Sequence, residues 1–202
     1  MPQQPFAVTH SDSVDVAVLP MSAILNQMAA INAPPFLRAV DLENCMTAEQ
    51  SRDLDAVEQV LFIGYPSGIY DRANLLPIAR VGTTATPVKV DYEGLPAFLV
   101  DAAVFPGSSG SPVFLRDASG IAQTRDGSIV VATGLMLLGV LAAVHTTQVE
   151  GQVVHLPAQQ KVHVNTPIGL GIVYKASSVV TCIDQALIEV GLKRIGASPE
   201  PG

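Results

Sequence analysis

Phe105-Pro106-Gly107-Ser108-Ser109-Gly110-Ser111-Pro112 joins two short apolar runs, residues 97–100 (AFLV) and 112–115 (PVFL). Gly and Pro crowd the junction and both flanks are too short for helices, so the stretch predicts a sharp turn between two strands. A serine set between glycines on such a turn exposes its Oγ while neighbouring backbone N–H groups point to a common spot. One loop then supplies both a nucleophile and an oxyanion hole. The α/β-hydrolase elbow requires G-x-S-x-G after a strand and before a helix. Here the fifth position is Ser111, and Pro112 opens an apolar strand, so that fold is excluded. The competing reading of the same residues is a plain Gly/Ser-rich hairpin loop.

Further strands are expected on both sides of this turn. Residues 14–19 (VDVAVL), 59–65 (QVLFIGY), 78–86 (IARVGTTAT) and 168–174 (IGLGIVY) are short, apolar and rich in β-branched side chains. Turn signals separate them, among them Pro66-Ser67-Gly68, Asp91-Tyr92-Glu93-Gly94 and Arg125-Asp126-Gly127. This spacing predicts an all-β barrel or sandwich. Residues 128–144 (SIVVATGLMLLGVLAAV) form an uncharged run of about 17 residues, the lower edge of a membrane span. Gly134, Gly139 and the β-branched start favour buried strands instead. Two helices are expected, over residues 47–59 and 178–194. In the second, Ile183, Leu187, Ile188 and Leu192 form the apolar stripe, and Lys193 and Arg194 occupy the last turn, where cations suit the helix dipole. Residues 195–202 read as a flexible Pro/Gly tail.

Composition narrows the function classes. The 202 residues are 49% hydrophobic and only 14% charged, with 16 Gly and 15 Pro. Soluble domains average about a quarter charged residues, so intrinsic disorder and helical bundles are both disfavoured. Eleven basic against eighteen acidic side chains give a net charge of −7, which repels phosphate backbones and argues against a nucleic-acid partner. Cys45 and Cys182 stand far apart in no Cys/His cluster, so they read as reduced, buried thiols, and no zinc site is expected. With no P-loop, no G-x-G-x-x-G after a strand and no H-E-x-x-H, neither cofactor nor metal is expected. Met-Pro-Gln-Gln-Pro-Phe is no secretory signal, which leads to the expectation of a cytoplasmic protein as written, with no membrane partner.

The flanks of the serine turn carry a resemblance. Asp101-Ala102-Ala103-Val104-Phe105-Pro106-Gly107-Ser108-Ser109-Gly110-Ser111-Pro112 resembles the nucleophile loop of trypsin-like serine proteases, closest to the bacterial HtrA-type and related groups. Phe62-Ile63-Gly64-Tyr65-Pro66-Ser67-Gly68 is similar to the first strand of that family's second barrel. Asp15-Val16-Ala17-Val18-Leu19 is similar to the segment bearing its catalytic aspartate. Leu138-Gly139-Val140-Leu141 resembles the strand lining its specificity pocket, and Gly169-Leu170-Gly171-Ile172-Val173-Tyr174 its last strand before the C-terminal helix. The resemblance covers residues 10–194 in family order.

What the resemblance implies is a chymotrypsin-like double β-barrel with its first barrel largely missing. Residues 1–58 would be the first-barrel remnant and connector, 59–194 a complete second barrel with a C-terminal α-helix, and 195–202 the tail. Ser109 would be the nucleophile, the N–H groups of Gly107 and Ser109 the oxyanion hole, and Asp15 the residue orienting the base. Ala103 would sit at the pocket floor and Gly139 on its wall. In the family the base histidine lies well upstream of the aspartate. His10 is too close to Asp15 for that place and reads as a loop residue. His145, His155 and His163 follow the serine and match no base. The expected activity is serine endopeptidase chemistry on a peptide or protein substrate, with little or no turnover by this chain. The alternative is a non-catalytic pseudo-peptidase barrel that binds peptides or assembles with partners. An apolar face left uncovered by the absent barrel would favour self-association.

Overall fold

The structure is a computed structural model and describes residues 8–11, 14–33, 35–116, 121–123, 129–131, 135–152 and 161–194. The strands are β1 (Val8–Ser11), β2 (Val14–Val18), β3 (Gln59–Gly64), β4 (Ile78–Thr84), β5 (Ala97–Asp101), β6 (Pro112–Leu115), β7 (Ile121–Gln123), β8 (Ile129–Val131), β9 (Met136–Gln152) and β10 (Lys161–Lys175). Two α-helices accompany them, α1 (Ser22–Ala30) and α2 (Ala176–Glu189). Six strands close an antiparallel barrel in the order β10-β5-β4-β3-β6-β9. β1–β2 and β7–β8 form separate two-stranded sheets.

Period-two patterning builds the barrel. In β3, Val60, Phe62 and Gly64 point inward and are buried, while Leu61 and Ile63 are half-buried on the other face. Val60, Phe62, Phe98, Val100, Leu138 and Val173 are each at most 1% exposed and meet in one core. Each such side chain contributes roughly 1.5–3 kcal/mol by leaving water. The ladder between β9 and β10 closes the sheet. It runs from Lys175 opposite Gly139 to Lys161 opposite Gln152, well past the last β6 pair (Pro112 with Val140) and the last β5 pair (Leu170 with Asp101). Gly139 permits that closure, because a Cβ there would lie 2.0 Å from the Tyr174 carbonyl oxygen.

The β1–β2 hairpin lies against α2 and the barrel exterior. Val14 and Val16 pack with Ala97, Tyr174 and Cys182, and the Cys182 thiol donates to the Val16 carbonyl oxygen at 3.6 Å. Both cysteines are buried and unpaired with each other, as expected. Between hairpin and barrel, residues 19–42 present Leu19, Met21, Ile24, Ile31, Phe36 and Leu37 to solvent, Phe36 at 99% exposure. Helix α1 falls in this connector and buries none of its residues. The weak periodicity there gave no helical signal.

Three expectations are corrected. The helix over 47–59 does not form. Thr47 and Gln50 cap each other reciprocally, Thr47 N–H to Gln50 Oε1 at 2.9 Å and Gln50 N–H to Thr47 Oγ1 at 3.2 Å, but only a 3-10 turn, Gln50–Asp53, follows. Leu54 is already extended, and Glu58 N–H bonds to Thr84 Oγ1, so barrel pairing outcompetes a poor helical period. The C-terminal helix spans 176–189, not 178–194. Gly191, at φ +73°, ends it, with Leu192 N–H on the Leu187 carbonyl (2.8 Å) and Gly191 N–H on Ile188 (2.9 Å). Lys193 and Arg194 therefore lie beyond the last turn, and Arg194 folds back onto the Asp184 carboxylate. The helix also buries a different face, Ser178, Cys182 and Ala186, leaving Ile188 and Leu192 exposed. Small side chains on that face let the hairpin and β10 approach closely. Within 128–144, strands β8 and β9 form and β9 continues to Gln152; residues 132–134 and the tail 195–202 lie outside the described residues. Among the described residues no helix is long and apolar enough to cross a membrane.

Gly139→Ala is expected to destabilise the chain by about 2–3 kcal/mol, because the new methyl group meets backbone that cannot yield; urea unfolding measures this. A thiol-specific dye should find no reactive cysteine in the folded chain and both after denaturation.

Candidate active site

The segment between β5 and β6 is anchored by backbone bonds to three other parts of the fold. Ala102 N–H donates to the Gly169 carbonyl (2.9 Å), and Ser67 N–H to that of Pro106 (2.9 Å). Gly110 N–H donates to the Leu141 carbonyl (2.7 Å), and Leu141 N–H returns to that of Ser111 (3.0 Å). Val104, 1% exposed, plugs the segment into the core. Gly107 and Gly110 both take φ +84°, the left-handed region that glycine alone adopts without strain. These two reversals sort the serines. Ser108 and Ser111 turn inward, 0% and 4% exposed, and Ser109 turns outward.

Ser109 Oγ donates to the Ala142 carbonyl oxygen at 2.6 Å. Within the turn, Ser108 N–H is bonded to the Phe105 carbonyl (3.0 Å) and Ser111 N–H to that of Ser108 (3.1 Å). Gly107 and Ser109 are the exceptions: among the described residues their N–H groups have no acceptor. Ala103 N–H, at the start of the segment, likewise has no acceptor among the described residues.

Arg80 on β4 lies beneath this turn. It shares the inward face with Phe62, its register partner across β3, and its guanidinium stacks 4.4 Å from the Phe62 ring centroid. One terminal nitrogen, Nη1, donates to the Ala103 carbonyl at 2.5 Å, and Nη2 to Ser108 Oγ at 3.0 Å. Nε is buried without a partner, and burial lowers the arginine's pKa from its ordinary value. Among the described residues no carboxylate pairs with it. Neutral oxygens and an aromatic face hold this cation.

The other expected site residues are spread out. Asp15 sits on β2 between the buried Val14 and Val16, so its exposed side chain faces away from the barrel. Among the described residues it makes no hydrogen bond. His10 belongs to strand β1 and not to a loop. Thr9 pairs with Ala17 and Ser11 with Val14, which sets His10 opposite the Asp15–Val16 step at a bulge. Its side chain lies outside the described residues, as do that of His163 on β10 and the whole of His155. His145 on β9 places Nε2 3.4 Å from the Tyr92 hydroxyl, with the rings edge to face. No imidazole among the described side chains touches Ser109. Ala103 is exposed and engaged through its carbonyl by Arg80. Gly139 is buried among the closing strands, and the β9 residue that meets the serine is Ala142, three positions on. A small cleft lined by Met46, Ser51, Val88, Leu138 and Lys175 contains no residue of the turn.

Arg80 and Ala142 are site residues absent from the sequence-based set. Arg80 had a usable signal, a lone charge at an inward-phase position of an alternating strand (Ile78, Arg80, Gly82, Thr84). Ala142 had none, since it contributes only a carbonyl oxygen. Comparison with family models, curated proteins and solved structures found no match for this chain.

The two left-handed glycines should differ when substituted. At Gly110 a Cβ meets open space, so Gly110→Ala carries only backbone strain, about 1 kcal/mol. At Gly107 the Cβ also lies 3.0 Å from Ser67 N, so Gly107→Ala should cost clearly more in the same denaturant titration.

Proposed function

We propose that this chain is the nucleophile-bearing part of a trypsin-like serine endopeptidase, its six-stranded barrel and α2 corresponding to the second barrel and C-terminal helix of a chymotrypsin-like double barrel. The observation that carries the reading is the serine turn itself. Ser109 is presented outward beside two backbone donors, Gly107 and Ser109 N–H, that have no acceptor among the described residues. In that chemistry the Ser109 Oγ attacks the carbonyl carbon of a peptide, its proton passes to a base, and the developing oxyanion takes the two N–H donors. The loop-to-β9 bonds at Gly110, Ser111 and Leu141 hold the nucleophile against the strand along which an extended substrate would lie.

The base is the weak point of the constellation. The Ser109 hydroxyl donates to a carbonyl that cannot accept its proton, and Asp15 faces away from the barrel. Turnover by this chain is therefore expected to be low, since an oxyanion hole and binding alone retain only a small share of such catalysis. The same two observations favour the second reading, a pseudo-peptidase barrel that binds peptides without cleaving them.

A fluorophosphonate probe with mass-spectrometric mapping separates the two. The peptidase reading expects slow stoichiometric modification at Ser109, lost in Ser109→Ala and retained in His10→Ala. Peptide binding with no modification of Ser109 would leave the pseudo-peptidase. Modification that His10→Ala also removes would assign the base to His10 and correct its exclusion from that role.

A further inference from the structure

The Arg80 guanidinium occupies two oxygen acceptors belonging to the turn that carries Ser109. The Ala103 carbonyl lies at the start of the turn and Ser108 Oγ immediately before the nucleophile, five residues apart. Ser108 Oγ is also within 3.4 Å of Phe105 N–H, so it sits among the turn's own donors. An acceptor buried beside an unsatisfied N–H is the natural place for that N–H to collapse. Arg80 removes the opportunity by filling both acceptors from outside the turn. We propose that Arg80 is a positioning residue: its guanidinium clamps Ala103 to Ser108, and so keeps the N–H groups of Gly107 and Ser109 from closing onto the turn's own oxygens.

Three features support this assignment. The strand register fixes Arg80 opposite Phe62, whose ring is 1% exposed and gives the cation a rigid bed. A half-buried arginine whose Nε is buried, with no carboxylate partner among the described residues, argues for a geometric role over simple charge pairing. The fork of two terminal nitrogens matches two separated oxygens, a geometry lysine cannot reproduce. The consequence for catalysis rests on the peptidase reading above; the clamp on the turn does not.

Amide hydrogen exchange on the whole chain tests the clamp. Arg80→Met keeps an apolar stem over Phe62 and removes both donors. Exchange at the bonded amides of Val104, Phe105 and Ser108 should rise about ten- to a hundredfold, and that of Gly107 and Ser109, released to close onto the turn's oxygens, should slow, while β3, β5 and β10 keep their protection. Arg80→Lys should restore only part of it. Unchanged exchange in the turn overturns the proposal, and so does a rise spread evenly over the barrel, which would make Arg80 a general stability residue. Should Arg80→Met not fold, Ser108→Ala removes one arm of the clamp together with the acceptor of Phe105 N–H, so the amides of Val104 and Ser108 are the ones to read, and their exchange should rise. Fluorophosphonate modification of Ser109 is the second readout. Wild-type protein that ignores the probe defeats the peptidase reading alone, and the exchange data still decide on Arg80. Wild-type protein that reacts, with Arg80→Met slowed at unchanged melting temperature, supports both.

Discussion

The long antiparallel ladder between β9 and β10 is the constraint from which the rest follows. It converts a sheet into a closed barrel, and a closed barrel has no edge to satisfy at that seam. Closure demands close backbone approach, which is met where Gly139 passes the Tyr174 carbonyl. The register so fixed carries Leu141 and Ala142 to the serine turn. There Leu141 pairs with Gly110 and Ser111, and Ala142 receives the Ser109 hydroxyl. A shift of one residue would exchange the inward and outward faces of β9 and present the serine turn with a different backbone.

The turn combines rigidity with incompleteness. Its ends are bonded to β9, to Gly169 and to Ser67, and its interior is plugged by Val104 and clasped by Arg80. Against that background two N–H groups lack acceptors among the described residues. Both residues are exposed, so water satisfies these donors until a ligand's oxygen replaces it. The half-buried Arg80 guanidinium, meanwhile, occupies the adjacent Ala103 and Ser108 oxygens and leaves these two donors facing solvent.

The barrel strands were legible because a β-strand writes its burial in a period of two. The residues of β3, β4, β5 and β6, and the end of β10, announce themselves in that way. The serine turn was legible for a different reason: only Gly107 and Gly110 could take the left-handed backbone that its reversals require. Residues 47–59 misled because Leu54, Val57 and Glu58 fall at helical spacing by a weak period, which the extended chain at Leu54 and the pairing of β3 override. Helix α2 was found but turned to the wrong face, since small residues such as Ala186 pack tightly without raising an apolar signal. Within the site, side-chain roles could be anticipated and backbone roles could not. A carbonyl such as that of Ala142 has no residue-specific mark. The orientation of Asp15 depends on which face of the β1–β2 hairpin docks, and that face is set by Val14 and Val16 acting together with Cys182, far away in the chain.

That last contact has a bearing on how the chain assembles. The carbonyl of Val16 and the thiol of Cys182 are 166 residues apart in sequence, yet the β1–β2 hairpin finds its hydrophobic support on α2 and the strand before it. A two-stranded ribbon is marginal by itself in water. The hairpin precedes α2 and β10 in the chain and has nothing to rest on until both have been made. Barrel closure and the formation of α2 must precede its docking, and the entropy of closing so long a loop is met only then. The segment carrying Asp15 is accordingly made before its support and placed after it.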